Sequence, residues 1–188
     1  MEDRRKPVIG ELKGGRVRLL KDEVGDHIKD YGEVKKKYVY LDPLEALYLV
    51  FTNRIQVRRG DRILSFDELM ESFGRIDPDI FSRFIVYRDL RSRGYVVKPG
   101  YGETIDFLLY DRGDYPEKPA KYRVIGVDEG HPISILKLMD ILRFTIMGKK
   151  ELKIAVIERR GEVVYYTLKQ FMGGRFIELL EEGGEKPG

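Results

Sequence analysis

Residues 142–166 read LRFTIMGKKELKIAVIERRGEVVYY, and this segment predicts more of the architecture than any other part of the chain. Its first residues complete a helix that we predict to run from about Pro132 to Met147. Two apolar segments follow at residues 152–158 and 162–168, and they are predicted to be strands joined by a short turn. A helix followed by paired strands is typical of a sheet that carries helices on its faces.

The flanking sequence extends this sheet in both directions. Further strands are predicted at residues 95–98, 105–110, 121–127 and 174–180. A helix that starts at Asp77 precedes them and is expected to bury Phe81, Phe84, Ile85 and Leu90. We therefore predict a mixed α/β (α+β) fold with two domains. Residues 1–76 form a small N-terminal α/β domain, and residues 77–188 form a C-terminal mixed-sheet domain with flanking helices.

The N-terminal half contains local signals for two hairpins and two short helices. A hairpin is predicted over residues 11–20 because a Gly-Gly pair supplies its turn. Each helix is predicted to start where a capping residue precedes a glutamate by three positions, at Asp42 with Glu45 and at Ser65 with Glu68. Between them, the segments IQV and RIL flank an RGD turn, which predicts the second hairpin.

Composition excludes several classes of chemistry. The 188 residues include no cysteine and only two histidines, so disulfides and thiolate chemistry are ruled out and a metal site has little scope. We expect no metal and no cofactor. The net charge of +3 permits nucleic-acid binding through a local patch without requiring it. No run approaches the ~18 apolar residues of a membrane span, so we expect a cytoplasmic protein without a membrane partner.

Several sequence blocks occur in a specific order. They are YRDLRSRGYVVKPG (87–100), DFLLYDRGDY (106–115), KPAKYRV (118–124), LRFTIMGKKELKIAVI (142–157) and GEVVYY (161–166). In this order and spacing they resemble the catalytic half of the archaeal tRNA-splicing (tRNA-intron) endonuclease family. YGEV (31–34) and LDPLEALYLV (41–50) resemble the small first domain of the same family.

The resemblance implies a metal-independent cut of precursor tRNA at intron boundaries within a bulge-helix-bulge. The 2′-hydroxyl of the RNA is the nucleophile, and the products carry a 2′,3′-cyclic phosphate and a 5′-hydroxyl. Such a reaction needs a base, a cation beside the phosphorane and an acid for the leaving oxygen. The family assigns these roles to a tyrosine, a lysine and a histidine.

Two of these three residue types are present at the matching positions of this chain. Tyr110 and Lys150 match the tyrosine and the lysine, but Pro119 stands where the resemblance places the histidine. Because proline has no titratable group, Tyr110 and Lys150 are interpreted as vestigial. Tyr110 is alternatively an ordinary strand-end residue, and Lys150 alternatively belongs to a solvated turn. His131, at a turn or helix start, is the remaining candidate for a substitute acid.

Other matching positions concern RNA binding and assembly. Arg143 matches a family arginine that stacks on a flipped bulge nucleotide, although it is alternatively one half of a surface ion pair. The turn of Glu158, Arg159, Arg160 and Glu162 matches a segment that plugs a cleft on another subunit, although it is alternatively a plain hairpin turn. The C-terminal strand, with Phe176, Ile177 and Leu179, is a candidate pairing edge.

The leading hypothesis is a structural, non-catalytic subunit of a heterotetrameric tRNA-splicing endonuclease. Its partners would be a catalytic subunit, two copies of each chain forming the complex, and precursor tRNA. Two alternatives stay open at this point. The chain could be an active endonuclease that uses Tyr110 and Lys150 without the usual histidine, or an RNA-binding module outside splicing.

Overall fold

The computed structural model describes residues 7–100, 105–128, 130, 133–170 and 177–181. In this part of the chain there are four α-helices and two six-stranded mixed sheets, which confirms the α+β fold expected from the sequence. The chain divides into two compact units, Met1–Phe84 and Ile85–Gly188. The division falls inside helix α3 (Ile80–Ser92). The boundary between residues 76 and 77 stays a prediction from the sequence.

The first unit is a sheet with one helix packed on it and a second helix packed against the first. Its elements are β1 (Val8–Lys13), β2 (Arg16–Leu20), β3 (Glu33–Lys35), β4 (Tyr38–Leu41), α1 (Pro43–Phe51), β5 (Ile55–Arg59), β6 (Arg62–Leu64) and α2 (Phe66–Gly74). The strand order is β3-β4-β2-β1-β5-β6, with β1 and β5 parallel and all other neighbours antiparallel. Both predicted hairpins are confirmed.

Both predicted capping boxes are also confirmed. The Asp42 side chain accepts from the Glu45 amide at 2.9 Å, and the Glu45 carboxylate accepts from the Asp42 amide at 3.1 Å. Ser65 and Glu68 make the same reciprocal pair at the start of α2. Glu45 is only 3% exposed and its carboxylate also accepts from the Gly32 amide at 2.9 Å. A capping residue therefore also joins α1 to the turn before β3.

The second unit is a sheet between helices, as the sequence predicts. Its remaining elements are β7 (Val96–Pro99), β8 (Phe107–Tyr110), β9 (Tyr122–Asp128), α4 (Ile135–Met147), β10 (Glu151–Ile157), β11 (Val163–Gln170) and β12 (Ile177–Glu181). The strand order is β12-β11-β10-β9-β8-β7, in which β9 and β10 are parallel and other neighbours antiparallel. Helix α4 connects β9 to β10, as parallel neighbours require. It packs its Ile141 and Leu142 against Ile125, Leu152 and Ile154.

Two helix predictions differ from the structure. Helix α3 begins at Ile80 rather than near Asp77, and the expected burial of Phe81 is wrong because its side chain is 59% exposed. The buried residues Ile80, Phe84 and Tyr87 follow the i, i+4, i+7 period of one helix face, and Phe81 lies one position off it. Helix α4 begins at Ile135, where the Ser134 hydroxyl accepts from the Lys137 amide.

A tyrosine joins the C-terminal part of α3 to β11. The Tyr165 hydroxyl donates to the Asp89 carboxylate at 2.8 Å, and Arg93 donates to the same carboxylate at 2.7 Å. Burial and the charge of Asp89 raise the pKa of Tyr165, so its hydroxyl remains a proton donor at neutral pH. The contact therefore anchors the helix on this face of the sheet.

Replacing Tyr165 by Phe removes this hydrogen bond and leaves Asp89 paired with Arg93. We expect the free energy of unfolding to fall by about 1–2 kcal/mol, since the acceptor is charged and partly buried. The measurement is urea unfolding of the purified chain. Tyr166→Phe is the matched control, because the ring of Tyr166 packs on the opposite side of the same strand. Equal destabilisation by both changes would contradict the role given to the Tyr165 hydroxyl.

Candidate functional site

In the sheet of the second unit, the positions of Tyr110, Pro119 and Lys150 lie at the same end of the central strands. Strand β8 ends at Tyr110 and runs antiparallel to β9, which is parallel to β10. The end of β8 therefore lies beside the starts of β9 and β10. Two backbone hydrogen bonds fix the segment after Pro119 between them. The Lys121 amide donates to the Leu109 carbonyl at 2.9 Å, and the Glu151 amide donates to the Lys121 carbonyl at 3.1 Å.

Lys150 is joined directly to the residue that follows Pro119. Its Nζ donates to the carbonyl oxygen of Ala120 at 2.6 Å, a short bond typical of a charged donor. Ala120 is buried, whereas Pro119 is exposed at the surface of the preceding loop. The ammonium therefore holds the loop that carries Pro119 against the start of β10. This contact differs from the solvated turn considered as the alternative for Lys150.

A buried arginine fixes the end of the helix that leads to Lys150. Arg123 is 6% exposed, and its Nη1 donates to the Phe144 carbonyl at 2.8 Å. Its guanidinium carbon lies 4.1 Å from the centroid of the Phe144 ring. A cation at the carboxyl end of a helix is stabilised by the helix dipole. A side chain at Gly148 would bring its Cβ within 2.8 Å of Arg123 Nη2, so glycine leaves room for the guanidinium.

The chain leaves α4 through a Schellman motif that places Lys150. The Lys149 amide donates to the Ile146 carbonyl at 2.8 Å, and the Lys150 amide donates to the Thr145 carbonyl at 3.2 Å. Lys149 occupies the left-handed position with φ of 53°, where glycine is the usual residue. The backbone at Lys150 is therefore set by the two preceding hydrogen bonds, and its side chain extends from a fixed point.

Tyr110 packs against a second tyrosine of the following loop. Its ring centroid lies 5.1 Å from that of Tyr115, with the ring planes at 77°. The Nζ of Lys98, on the neighbouring strand β7, lies 4.8 Å from the Tyr115 centroid. Edge-to-face rings and an overlying cation are both favourable. Tyr110 thus contacts Tyr115 in the loop between β8 and β9, and the sequence did not predict this contact.

The side chains on either side of Pro119 and Ala120 are cations held by carboxylates. Lys118 Nζ lies 2.6 Å from Asp114, and this hydrogen bond raises the pKa of Lys118. Lys121 Nζ lies 3.4 Å from Asp111. Interaction with Tyr122 is the main cause that raises the pKa of Lys121, and Asp111 adds to it. Both lysines therefore hold their protons more firmly than a free lysine does.

Arg143 lies on the exposed side of α4. Its side chain is 68% exposed, and its Nη1 is 3.8 Å from the carboxylate of Asp140, which is itself 76% exposed. That separation is longer than a hydrogen bond, and an exposed pair of this kind contributes little to stability. The neighbouring Phe144 carbonyl is held by Arg123. Arg143 therefore extends into solvent from a helix whose end is firmly anchored.

The structure describes part of the two segments that the resemblance assigns to subunit assembly, the turn of residues 158–162 and the C-terminal strand. Glu158 and Glu162 close a tight turn, in which the Glu158 amide donates to the Glu162 carbonyl at 2.9 Å. Arg159 and Arg160 are exposed at its tip. Strand β12 pairs with β11 alone among the described strands and so forms one edge of the sheet. Phe176 and the side chains of Ile177 and Leu179 lie outside the described residues, as does His131.

The sequence did not predict Arg123 or Tyr115 as parts of this site. A charged residue inside the apolar strand YRVIGV was the available signal for Arg123, because a buried cation requires a partner. Tyr115 carried no such signal, since its contact with Tyr110 depends on the path of the loop. Among the described residues, no group of three or more His, Cys, Asp or Glu side chains could hold a metal ion. In the same part of the chain no helix is long and apolar enough to cross a membrane.

Comparison with known proteins gives two family matches. Residues 8–70 match the model of the tRNA intron endonuclease N-terminal domain, and residues 80–165 match that of the tRNA intron endonuclease catalytic C-terminal domain. The tRNA-splicing endonuclease of Methanococcus vannielii is 39% identical over 141 residues, which cover 74% of this chain and 80% of the relative. That of Pyrococcus furiosus is 30% identical over 161 residues, covering 84% and 93%. That of Methanococcoides burtonii is 29% identical over 163 residues, covering 85% and 46%.

Replacing Lys149 by Gly tests the helix end that places Lys150. Glycine adopts a positive φ without the contact between Cβ and the backbone, so we expect the free energy of unfolding to rise by about 0.5–1 kcal/mol. Thermal unfolding measures the effect. Lys149→Ala is the control, because it removes the same charge and keeps the strained Cβ. If both variants were stabilised equally, the left-handed conformation would not be the cause.

Proposed function

Because this chain belongs to the tRNA-splicing endonuclease family, we propose that it is the structural, non-catalytic subunit of a heterotetrameric enzyme. Two copies would assemble with two copies of a catalytic paralogue. The assembly would cut precursor tRNA at bulge-helix-bulge junctions and leave 2′,3′-cyclic phosphate and 5′-hydroxyl ends. The observation that carries the proposal is Pro119, exposed in the loop where the family places its histidine.

The surroundings of Pro119 support the loss of acid catalysis. An effective general acid has a pKa near the working pH and releases its proton to the leaving oxygen. Lys118 and Lys121, which flank Pro119 and Ala120, have pKa values shifted upward by their partners. Each is therefore a poorer acid than an ordinary lysine. A single well-placed acid contributes roughly 10²- to 10⁴-fold to a rate, so its loss accounts for a non-catalytic subunit.

Lys150 has a structural explanation for its retention. In the family it would face the phosphorane, but here its ammonium donates to the Ala120 carbonyl at 2.6 Å. This bond, together with the Glu151 to Lys121 backbone hydrogen bond, joins β10 to the loop before β9. A lysine that positions a loop is useful to the fold even where no reaction takes place. Its presence therefore does not require catalysis by this chain.

The proposed assembly would use the edge and the turn of the second unit. Strand β12 exposes one row of backbone groups that can pair with a strand of another subunit. The turn from Glu158 to Glu162 presents two arginines between two glutamates. Such mixed charge would suit a partner cleft that carries both signs, and it would disfavour a uniformly basic one.

One observation favours the catalytic alternative. Tyr110 and Lys150 lie at the same end of neighbouring strands of the sheet, as an enzyme that uses both would require. In that case the missing acid would come from the RNA, from solvent or from His131. The third possibility, an RNA-binding module outside splicing, would need neither residue at this end of the strands. Cleavage by the isolated chain separates the first alternative from the structural subunit.

The isolated chain should cleave a bulge-helix-bulge RNA at least about 10²-fold more slowly than the complex with its catalytic paralogue. Single-turnover rates measured by gel electrophoresis give the comparison. A complex whose paralogue carries His→Ala is the control, and it should be as slow as the isolated chain. Comparable rates for the isolated chain and the intact complex would disprove the structural assignment.

The double change Tyr110→Phe and Lys150→Met tests whether this chain takes part in the reaction within the complex. We expect the cleavage rate of the assembled complex to stay within about twofold, because neither group would be catalytic. The free energy of unfolding should fall by about 1 kcal/mol, since the Lys150 hydrogen bond to Ala120 is lost. A rate decrease of about 10²-fold or more in a complex of unchanged mass would assign chemistry to this chain.

A further inference from the structure

Among the described residues of the first unit, no helix packs on one face of its sheet. Alternate residues such as Val17, Leu19 and Val57 are buried on the other face, where α1 packs. The other side of the same strands carries Glu11, Arg16, Arg18, Tyr38, Tyr40 and Arg58, as the strand registers show. We call these six residues the open face. A half-covered antiparallel face is normally polar, but this one combines aromatic rings with clustered cations.

Positive charge predominates on the open face and at its ends. Lys13 follows Glu11 on the same side of β1, and Lys35 and Glu33 lie opposite Tyr38 and Tyr40 on β3. This side of the sheet therefore holds five cations and two carboxylates. The difference of three positive charges equals the net charge of the whole chain, which is +3. This side of the sheet therefore carries a net positive charge.

Both carboxylates of this surface are already engaged by neighbouring cations. Arg18 Nε donates to Glu11 at 2.8 Å, and Lys35 Nζ lies 2.9 Å from Glu33. Hydrogen bonds from these partners are the main cause that lowers the pKa of each glutamate. Arg58 lies opposite Glu11 in the pairing of β5 with β1. Arg16 Nη1 also lies 3.6 Å from Glu33, so the five cations share two carboxylates and the surface keeps a net positive charge.

Two tyrosines lie in the middle of this charge. The ring centroids of Tyr38 and Tyr40 are 6.2 Å apart with the planes at 67°. The guanidinium of Arg18 lies 4.9 Å from the Tyr38 centroid, and Lys37 Nζ lies 5.4 Å from it. Unpaired bases stack on tyrosine rings and guanidinium planes, and cations nearby hold the phosphates. Duplex recognition, by contrast, usually places a helix or ribbon in a groove, which a flat sheet face does not offer.

A groove continues the surface on the side of β1. It has a volume of about 580 Å³ and includes Ile9, Leu20 and Arg58 in its lining. Leu20 pairs with Tyr38 across β2 and β4, so the groove begins beside the tyrosine. Ile9 and Leu20 are 49% and 43% exposed and provide an apolar floor with a cation at the rim. A base that leaves the tyrosines would find an apolar surface, with the cation of Arg58 and the carboxylate of Glu23 also in the lining of the groove.

We propose that the open face binds single-stranded or looped RNA, with bases stacked on Tyr38 and Tyr40 and phosphates held by Arg16 and Arg58 of that face and by Lys13 at its end. The residues belong to the first unit and are separate from Tyr110, Pro119, Lys150 and Arg143. Where the RNA is precursor tRNA, the inference rests on the proposed function. Unpaired bases of the substrate would then be the natural ligand.

The test measures binding of the full chain to a fluorescein-labelled, unstructured RNA of about 12 nucleotides by fluorescence anisotropy. We expect Tyr38→Leu with Tyr40→Leu to weaken binding at least about tenfold, because leucine is apolar but cannot stack. Tyr38→Phe with Tyr40→Phe is the matched control and should bind within about twofold of the unchanged chain, since stacking is kept. Thermal unfolding confirms that each variant is folded.

The charges are tested through the dependence of affinity on salt. Arg58→Gln should reduce the slope of log K against log salt by about 0.7, the value of one phosphate contact with a single strand. Arg75→Gln is the control on α2, where the arginine is 76% exposed and paired with Glu71. It should leave the slope unchanged. Equal effects of the two changes would overturn the assignment of phosphate contacts to the open face.

Two further outcomes would overturn the proposal as a whole. The first is RNA affinity that the leucine double variant leaves unchanged. The second is a leucine variant that binds RNA normally but fails to assemble with the catalytic paralogue, which would make the open face a protein interface. Cleavage by the isolated chain would disprove the structural-subunit assignment without altering these affinities, so the two proposals fail separately.

Discussion

The contact between the Arg123 guanidinium and the carboxyl end of α4 determines the geometry of the candidate site. Arg123 lies on β9, in the interior of the sheet, and is almost fully buried. Its hydrogen bond to the Phe144 carbonyl and its position over the Phe144 ring hold the last turn of the helix. The helix dipole favours a cation there, and Gly148 gives it space. Because the helix ends at a fixed place, the strand that follows starts at a fixed place.

The contacts around Pro119 hold the loop between β8 and β9 in place through side-chain and backbone hydrogen bonds. Lys150 is bonded to the Ala120 carbonyl, and the backbone of Lys121 is bonded to both neighbouring strands. These contacts hold the loop whether or not an acid is present at Pro119. Membership of the endonuclease family therefore does not by itself establish that this chain is catalytic. The fold requires the hydrogen bonds of the loop, whereas the reaction requires a proton donor.

In the first unit, the residues that hold the fold together differ from those that lie on the exposed face of the sheet. Glu45 caps α1 and also accepts from the Gly32 amide, so one buried carboxylate holds the helix to the turn before β3. Helix α1 packs on one face of the sheet, and among the described residues of the first unit no helix packs on the other. On that face Tyr38, Tyr40 and the surrounding cations are positioned by strands whose opposite sides form the core. The backbone that carries this exposed arrangement is therefore the same backbone that carries the core residues.

Local signals in the sequence predicted both capping boxes, two of the three first-unit hairpins and the order of strands and helices in the second unit, because these depend on residues a few positions apart. They did not predict the hairpin of β3 and β4. The sequence also predicted that the positions of Tyr110, Pro119 and Lys150 matter. It did not predict the exposure of Phe81 or the burial of Arg123. Those follow from contacts between residues distant in the chain, which arise only when the strands and helices pack together.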